Sequence, residues 1–314
     1  MRPFSTANAE QERAFLQSVV YASLFDYPLT PAQLHQSLIG QQADEEALLR
    51  WYDGSAYLQA AIEYADGHFF PRGRRDILHT RTEREAISRT LLREMAGSLK
   101  LVTRMPFVRL VALSGSLAHL NAGADADLDL FVITCPGRVW TVTVVTLLAA
   151  RLLGWRKRLC LNYVVSERAL WIAPADLFSA NQIVHLQPII GRDGYRRFLD
   201  ANRFVERFYP NFLPRDVTDD SRPSALVERA VNLTIGPIAE RACRWLYRAH
   251  LRRRAHTWTS RDQVRLDPEC LKLHTSSHRR DVMERFEHAL RDAVEVAERD
   301  VLTREESSPL PASV

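Results

Sequence analysis

Two apolar runs separated by a polar loop stand out in the middle of the chain. The first, 108–113, is rich in β-branched residues and ends at a Ser-Gly-Ser sequence, which predicts a buried strand followed by a tight turn. The second, 127–133, begins with alternating acidic and apolar residues and predicts another strand. Because side chains two residues apart in a strand point to the same face, we expect Asp127 and Asp129 on one face and the leucines between and after them on the other.

Helical spacing of apolar residues dominates the N-terminal part of the chain. Helices are predicted at 14–24, 32–38, 44–51 and 57–64. Thr30 and Pro31 suit the N-cap and the first turn of the second of these helices. The aromatic segment 67–75 contains two glycines and predicts a small hairpin. Three helices followed by a hairpin resemble a winged helix, so we expect a winged-helix-like domain over residues 1–82.

Helices and one further strand are expected in the rest of the chain. A charged helical pattern spans 81–100, and an apolar run at 158–166 predicts a strand. The uncharged segment 139–150 has only twelve residues, whereas a membrane span needs about twenty. We therefore expect it to be a buried helix between two strands, and no membrane span. Further helical patterns follow a proline-rich and aspartate-rich linker at 209–223: 225–256, interrupted at Gly236-Pro237, and 280–304.

These elements predict an α/β (α+β) fold with a mixed-sheet core over residues 83–208 and a C-terminal helical region over 209–314. The composition is that of an ordinary globular protein, with 46% hydrophobic and 25% charged residues. The net charge of +4 is small for 314 residues, so it permits a polyanionic partner without identifying one. The four cysteines show no paired metal-binding spacing and the first residues no signal-peptide pattern, which predicts a cytoplasmic protein.

The two aspartates and the glycine-containing turn suit the same chemistry. Mg²⁺ relieves the repulsion between adjacent carboxylates, because it binds one or two of them and completes its shell with water and substrate phosphates. A glycine lets the backbone approach a phosphate closely, and the free N–H groups of a following helix point at the anion. Asp127, Asp129 and the turn at Gly115 and Ser116 therefore indicate a site for a nucleotide and a magnesium ion.

The order of these residues resembles the nucleotidyltransferase superfamily, which includes DNA polymerase β and the minimal nucleotidyltransferases. Its signature is an apolar residue, Gly-Ser, a short spacer and Asp-x-Asp within an apolar strand, and the match covers Leu110 to Val132. The resemblance implies that Asp127 and Asp129 are catalytic and hold Mg²⁺, with Mn²⁺ as the alternative ion. It also implies that Gly115 and Ser116 bind the phosphates of a nucleoside triphosphate. ATP is our choice from its abundance, and the acceptor hydroxyl is unidentified.

Several residues depart from the family pattern. Members often carry an arginine shortly after Gly-Ser, where this chain has Leu117 and His119. His119 is a candidate phosphate contact, and a structural role is the alternative. The third carboxylate of the family usually lies on the next strand, where the only polar interior residue is Asn162. Asn162 can ligate Mg²⁺ or orient a hydroxyl but cannot accept a proton, and Glu167 or Asp176 would substitute if the register differs.

These departures keep an alternative function open, a catalytically reduced nucleotide-binding or nucleic-acid-binding regulatory protein. The predicted wing carries Arg72, Arg74 and Arg75, which could contact phosphates. The third helix begins with an acidic sequence, which disfavours DNA recognition, so nucleic acid is the less favoured partner.

Two further patterns lie in the C-terminal region. The arginine-rich helical segment 241–254 suits nucleic acid, an acidic membrane surface or a helix that covers the sheet. Asp267-Pro268 predicts a helix start, after which Cys270, His274 and His278 would share one face and suit zinc or a substrate contact.

Overall fold

The computed structural model describes residues 6–217, 225–234, 236–260, 264–273 and 279–306. The chain forms two compact units. The first consists of Met1–Glu83, Phe204–Leu213 and Arg279–Val314, and the second of Arg84–Arg203 and Pro214–His278. The region from residue 209 onward, which the sequence analysis treated as one, is thus divided between the two units.

Helices and strands occur in both units. The helices of the described residues are α1 Thr6–Ser23, α2 Pro31–Gln36, α3 Glu45–Gly54, α4 Ala56–Ala61, α5 Asp76–Glu94, α6 Ala96–Thr103, α7 Val139–Leu152, α8 Leu177–Val184, α9 Arg192–Ala201, α10 Phe204–Phe208, α11 Ala225–Leu233, α12 Gly236–Arg253 and α13 Arg279–Glu306. The strands are β1 Ile62–Ala65, β2 His68–Pro71, β3 Val108–Leu113, β4 Leu128–Thr134, β5 Leu159–Ser166, β6 Gln187–Ile190, β7 Val264–Asp267 and β8 Cys270–Leu273. Short 3₁₀ segments span Gly115–His119 and Ala255–Thr257.

Four helices and the antiparallel hairpin β1–β2 form the N-terminal part of the first unit. As the sequence predicts, Thr30 caps α2, through a capping box with Gln33. The ring of Phe15 in α1 meets that of Phe69 in the hairpin edge-to-face at 5.0 Å, and both are fully buried. Helix α13 belongs to the same core, where Phe286 lies 5.1 Å from Tyr21.

The second unit contains a six-stranded sheet in the order β6-β3-β4-β5-β8-β7. Strands β4 and β5 are parallel and all other neighbours are antiparallel, so the sheet is mixed and the predicted α/β class is confirmed. Helix α7 makes the crossover between the parallel pair, as parallel strands require. Leu128, Leu130, Val132 and Trp140 belong to the apolar core on one face of the sheet.

A glycine at the start of α9 brings this helix onto the sheet. Gly191 has φ +94°, and a Cβ there would lie 1.9 Å from the carbonyl oxygen of Arg109 in β3. No residue with a side chain fits this contact, because both the conformation and the space exclude a Cβ. The approach lets Phe198 of α9 contact Phe131 of β4 at 4.8 Å, on the face opposite the Trp140 core.

The predicted helix start at Asp267-Pro268 is wrong. These residues lie at the turn of the β7–β8 hairpin, in which Asp267 pairs with Cys270. The hairpin is joined to the sheet by the pairing of β8 with β5, in which Lys272 stands opposite Tyr163. The indole N–H of Trp140 also donates to the carbonyl of Asp267 at 2.9 Å. His274 and His278, the other members of the proposed zinc set, lie outside the described residues.

Helix α7 is only partly buried, which corrects the sequence expectation of a buried helix. Its inner side packs Val139, Trp140 and Ala150 into the core, whereas Val145, Leu148 and Leu152 are exposed. Among the described residues, no helix combines the length and the apolar character needed to cross a membrane.

Candidate functional site

Four strand ends meet at one end of the six-stranded sheet, which we call the acidic end. There β3 finishes and β4, β5 and β6 begin: Leu113 pairs with Leu130 and with Gln187, and Leu128 pairs with Leu159. The Gly-Ser turn follows β3 directly, and Asp127 and Asp129 stand at the start of β4. Strand pairing therefore brings the turn and the two acids together.

The two aspartates lie on the face of the sheet that α9 covers. Leu128 and Leu130 are buried in the opposite core, so the period of two places Asp127 and Asp129 on the same side as Phe131. Asp127 is exposed just before β4, and Asp129 is half-buried within it. One carboxylate therefore faces water and the other is held within the sheet.

Gly115 packs directly against the carboxylate of Asp129. The backbone N–H of Ser114 donates to the carbonyl of Asp129 at 3.0 Å, and Gly115 follows with φ +63°. A Cβ on Gly115 would lie 2.8 Å from Oδ2 of Asp129, so a side chain there would collide with the carboxylate. Glycine is required here for its conformation and for the close approach.

Ser116 and His119 lie in the 3₁₀ segment that follows. The carbonyl of Ser116 accepts from the N–H of Asn121 at 2.9 Å, which closes the loop. The imidazole of His119 lies 5.0 Å from that of His185, the residue after α8. Burial lowers the pKa of His185, against the opposing effect of its hydrogen bond to Asn181. His119 thus packs against the His185 imidazole, which favours its neutral form. A contact between His119 and phosphate remains a prediction.

Strand β5 has an irregular register beside the acids. Asp129 pairs with Cys160 and Phe131 with Tyr163, so Leu161 and Asn162 both stand opposite Leu130, as in a β-bulge. The strict alternation assumed from the sequence does not hold at this point. The side chain of Asn162 lies outside what the structure describes.

The two substitute carboxylates are engaged elsewhere. Glu167 follows Ser166, which pairs with Thr134. That pair is five residues along β4 from Asp129, which at 3.3 Å per residue corresponds to about 16 Å. Glu167 forms an ion pair with Arg197. Asp176 caps α8 by accepting from the N–H of Ser179 at 2.9 Å.

The residues at the acidic end fit a Mg²⁺ ion that takes only two ligands from the protein. In the described part of the chain, no three or more His, Cys, Asp or Glu side chains are grouped to hold a metal. Mg²⁺ does not require such a cage, because it keeps several waters and binds substrate phosphates. Asp127 and Asp129 can supply the two carboxylates, and the bare backbone of Gly115 lies directly against the carboxylate of Asp129.

Three cations at the same end of the sheet as the acids were not singled out from the sequence. Arg156, Lys157 and Arg158 form an exposed loop that leads into β5, and the carbonyl of Arg158 accepts from the N–H of Leu128 at 2.7 Å. The Arg158 side chain pairs with Glu94 at 2.6 Å. The signal was their position directly before the strand parallel to the one that carries the acids. This loop supplies positive charge at the acidic end.

The arginines of the predicted wing have local partners. Arg72 donates to the carbonyl of Ala60, Arg74 pairs with Asp26 at 2.7 Å, and Arg75 lies 3.4 Å from Glu63. The hairpin region is therefore less cationic than its sequence indicates.

Comparison of the chain with protein-family models, with curated proteins and with solved structures found no match in any of the three. The geometry of the acidic end therefore carries the functional argument by itself.

Proposed function

We propose that the chain is a Mg²⁺-dependent nucleotidyltransferase that transfers a nucleoside monophosphate from a nucleoside triphosphate to an acceptor hydroxyl. One observation carries the proposal: the Gly115 turn packs against the Asp129 carboxylate at the sheet end where Asp127 also stands. A turn that would bind phosphate and two carboxylates that would hold a metal ion thus lie at the same end of the sheet. In this interpretation the second unit has a nucleotidyltransferase-like core, and the N-terminal helices and hairpin are winged-helix-like.

The proposed roles follow from the position of each residue. Asp127 and Asp129 would hold the ion, which would supply positive charge to neutralise the charge that develops on the phosphates. The backbone of Gly115 and the hydroxyl of Ser116 would bind the β- and γ-phosphates.

The alternative function is a nucleotide-binding or nucleic-acid-binding regulatory protein with reduced catalysis. The observation that favours it is the absence of a general base from the positions where sequence reasoning expected one. Glu167 lies at the far end of β5, and Asp176 caps α8. The local partners of the wing arginines favour nucleotide over nucleic acid in this alternative.

The experiment is pyrophosphate release with each of the four nucleoside triphosphates, in Mg²⁺ and in Mn²⁺, with cell extract as the source of acceptor. We expect Asp127→Asn and Asp129→Asn each to lower release by at least about a hundred-fold, because each removes a charge that the ion requires. The matched control is Asp125→Asn, an exposed acid in the same loop, which should keep wild-type activity.

Two results separate the functions. Release that depends on both aspartates supports the transferase and identifies its nucleotide. Nucleotide binding that needs Mg²⁺, is lost in both aspartate variants and is never followed by pyrophosphate release supports the regulatory alternative. Release that is unchanged in Asp127→Asn and Asp129→Asn contradicts both.

A further inference from the structure

Exposed apolar side chains are concentrated on one part of the second unit. Of the fifteen large apolar residues that are strongly exposed in the described part of the chain, ten lie between Val145 and Leu246 on α7, α11, α12 and the residue after α7. Scattered single exposures are normal on a protein surface, but a concentration of this kind marks an interaction site.

On α7 the exposed residues form a stripe. Val145, Leu148 and Leu152 follow at spacings of three and four, so they share the side of the helix away from the sheet. Leu148 is 56% exposed and Leu152 86% exposed. The opposite side of α7 packs against the sheet, so the stripe is a second apolar face that the fold does not use.

Helix α12 lies beside α7. Glu240 accepts hydrogen bonds from the N–H groups at the start of α7, and Cys243, Tyr247 and Leu251 pack against the same core as α7. These three residues define the inward side of α12. Because successive residues are 100° apart around a helix, Ile238, Arg241, Trp245 and Arg252 lie on the outward side. Trp245 is 72% exposed.

Positive charge surrounds these apolar residues. Between 236 and 254 the chain has six arginines and a single acid, Glu240, whose carboxylate caps α7. The segment 151–158 adds four cations and no acid. Arg156 and Arg254 both lie close enough to Tyr247 to counteract the rise that burial causes in its pKa. The cations at the ends of the two helices therefore belong to one surface.

We propose that this surface, made of the outward sides of α7 and α12 with the segment 151–158, binds the anionic headgroup region of a membrane. A helix that combines leucine and tryptophan with arginine is typical of proteins that lie in the headgroup region. The arginines attract anionic lipid, and the aliphatic side chains enter the boundary of the acyl chains.

Two other occupants explain less of the surface. Nucleic acid would pair with the arginines, but single-stranded binding uses aromatic stacking, to which Leu148 and Leu152 contribute nothing. A second copy of the chain would cover the leucines, but a two-fold interface would bring together two copies of the same cationic surface. Anionic lipid satisfies both the charge and the aliphatic residues.

The test is co-sedimentation of the full chain with vesicles of phosphatidylcholine alone or mixed with phosphatidylglycerol. We expect binding only to the mixed vesicles, weakened by salt. Arg241→Gln/Arg252→Gln should lower the partition coefficient about thirty-fold, because each charge near an anionic surface contributes about fivefold. Leu148→Ser/Leu152→Ser should lower it about tenfold or more, because less apolar surface is buried.

Matched controls are available in the first unit and on α9. Leu213→Ser/Leu302→Ser changes two leucines of similar exposure, 65% and 59%, and should leave partition unchanged. Arg196→Gln/Arg207→Gln changes two exposed arginines outside the proposed surface and should also leave partition unchanged. All four double variants change exposed side chains, and thermal melting should show that each is folded.

Three results would overturn the proposal. The first is partition that is equal in both kinds of vesicle, absent from both, or insensitive to the arginine and leucine variants. The second is a concentration-dependent dimer, measured by light scattering, that Leu148→Ser/Leu152→Ser converts to monomer. The third is tight oligonucleotide binding that Arg241→Gln/Arg252→Gln abolishes, without binding to the mixed vesicles.

Discussion

Gly115 and Asp129 are in contact across the first two strands of the nucleotide site that we propose. Gly115 has φ +63°, and a Cβ there would lie 2.8 Å from Oδ2 of the aspartate. Main-chain pairing fixes this arrangement, because the N–H of Ser114 donates to the carbonyl of Asp129. The turn and the backbone of Asp129 are therefore held together.

Gly115→Ala should consequently impair both stability and activity. The left-handed conformation costs an alanine about 1 kcal/mol, and the collision should displace the Asp129 carboxylate as well. Thermal melting and pyrophosphate release measure the two effects. Gly154→Ala is the control for strain alone, because Gly154 has φ +79° and open space around it. A Gly115→Ala protein with wild-type release would show that the close contact has no function.

A buried ion pair joins α11 to β3. Both carboxylate oxygens of Glu228 accept from the guanidinium of Arg109, one of them at 2.9 Å, and Oε1 also accepts from the N–H of Phe107 at 2.6 Å. Glu228→Gln leaves Arg109 without its charge partner and should lower the free energy of unfolding by about 2 kcal/mol, less than for a fully buried pair. Denaturant titration measures this. Glu85→Gln, which breaks a more exposed pair with Arg89, should cost about 0.5 kcal/mol or less.

The contribution of Glu228 should depend on pH. Burial acts to raise its pKa, but the hydrogen bonds from Arg109 and Phe107 outweigh burial and hold the pKa below its ordinary value. A carboxyl with a lowered pKa stabilises the fold fully above its unfolded pKa of about 4.3, and this stabilisation is lost as the pH falls through the folded pKa. The difference in unfolding free energy between wild type and Glu228→Gln should therefore be largest above about pH 5 and shrink below about pH 4. If the difference in unfolding free energy grew as the pH fell, the lowered pKa of Glu228 would be contradicted.

Most individual elements were predictable because their signals are local. The capping box of Thr30, the break before α12 and the acidic–apolar alternation of β4 each involve residues only a few positions apart. The hairpin β7–β8 was missed because Asp-Pro also suits a helix start. The pairing of Lys272 with Tyr163 across more than a hundred residues decides the matter, and no local pattern contains it.

Some residues of the candidate site were likewise predictable from local order, and others were not. The chain order of strand, turn and acids was sufficient to predict Gly115, Ser116, Asp127 and Asp129 as neighbours, because antiparallel pairing of β3 with β4 brings them together. The bulge at Asn162 and the cations of 156–158 depend on the register of the parallel strands β4 and β5. Tertiary packing sets that register, so the sequence pattern left it open.

Helix α7 receives its cap from another helix. Glu240 of α12 accepts from the N–H groups of Trp140 at 3.0 Å and Thr141 at 2.8 Å, whereas Arg138 at the N-cap makes no side-chain cap. Glu240→Ala should therefore destabilise the protein by about 1 kcal/mol, which thermal melting can measure. Glu240→Gln keeps an acceptor without the charge and should fall between wild type and Glu240→Ala. Equal loss in both variants would assign the effect to charge alone.

The thiol of Cys270 reports on the integrity of the β7–β8 hairpin. Cys270 is buried in β8, and burial raises its pKa to about 11, although Arg265 opposes the rise. At pH 8 only about one thiol in a thousand would then be ionised, and the thiolate is the form that reacts. Iodoacetamide should therefore label Cys270 at least about a hundred times more slowly in the native protein than in urea, as mass spectrometry of its peptide would show. The same thiol in the unfolded chain is the control. Rapid labelling under native conditions would mean that β8 separates from β5 within the labelling time.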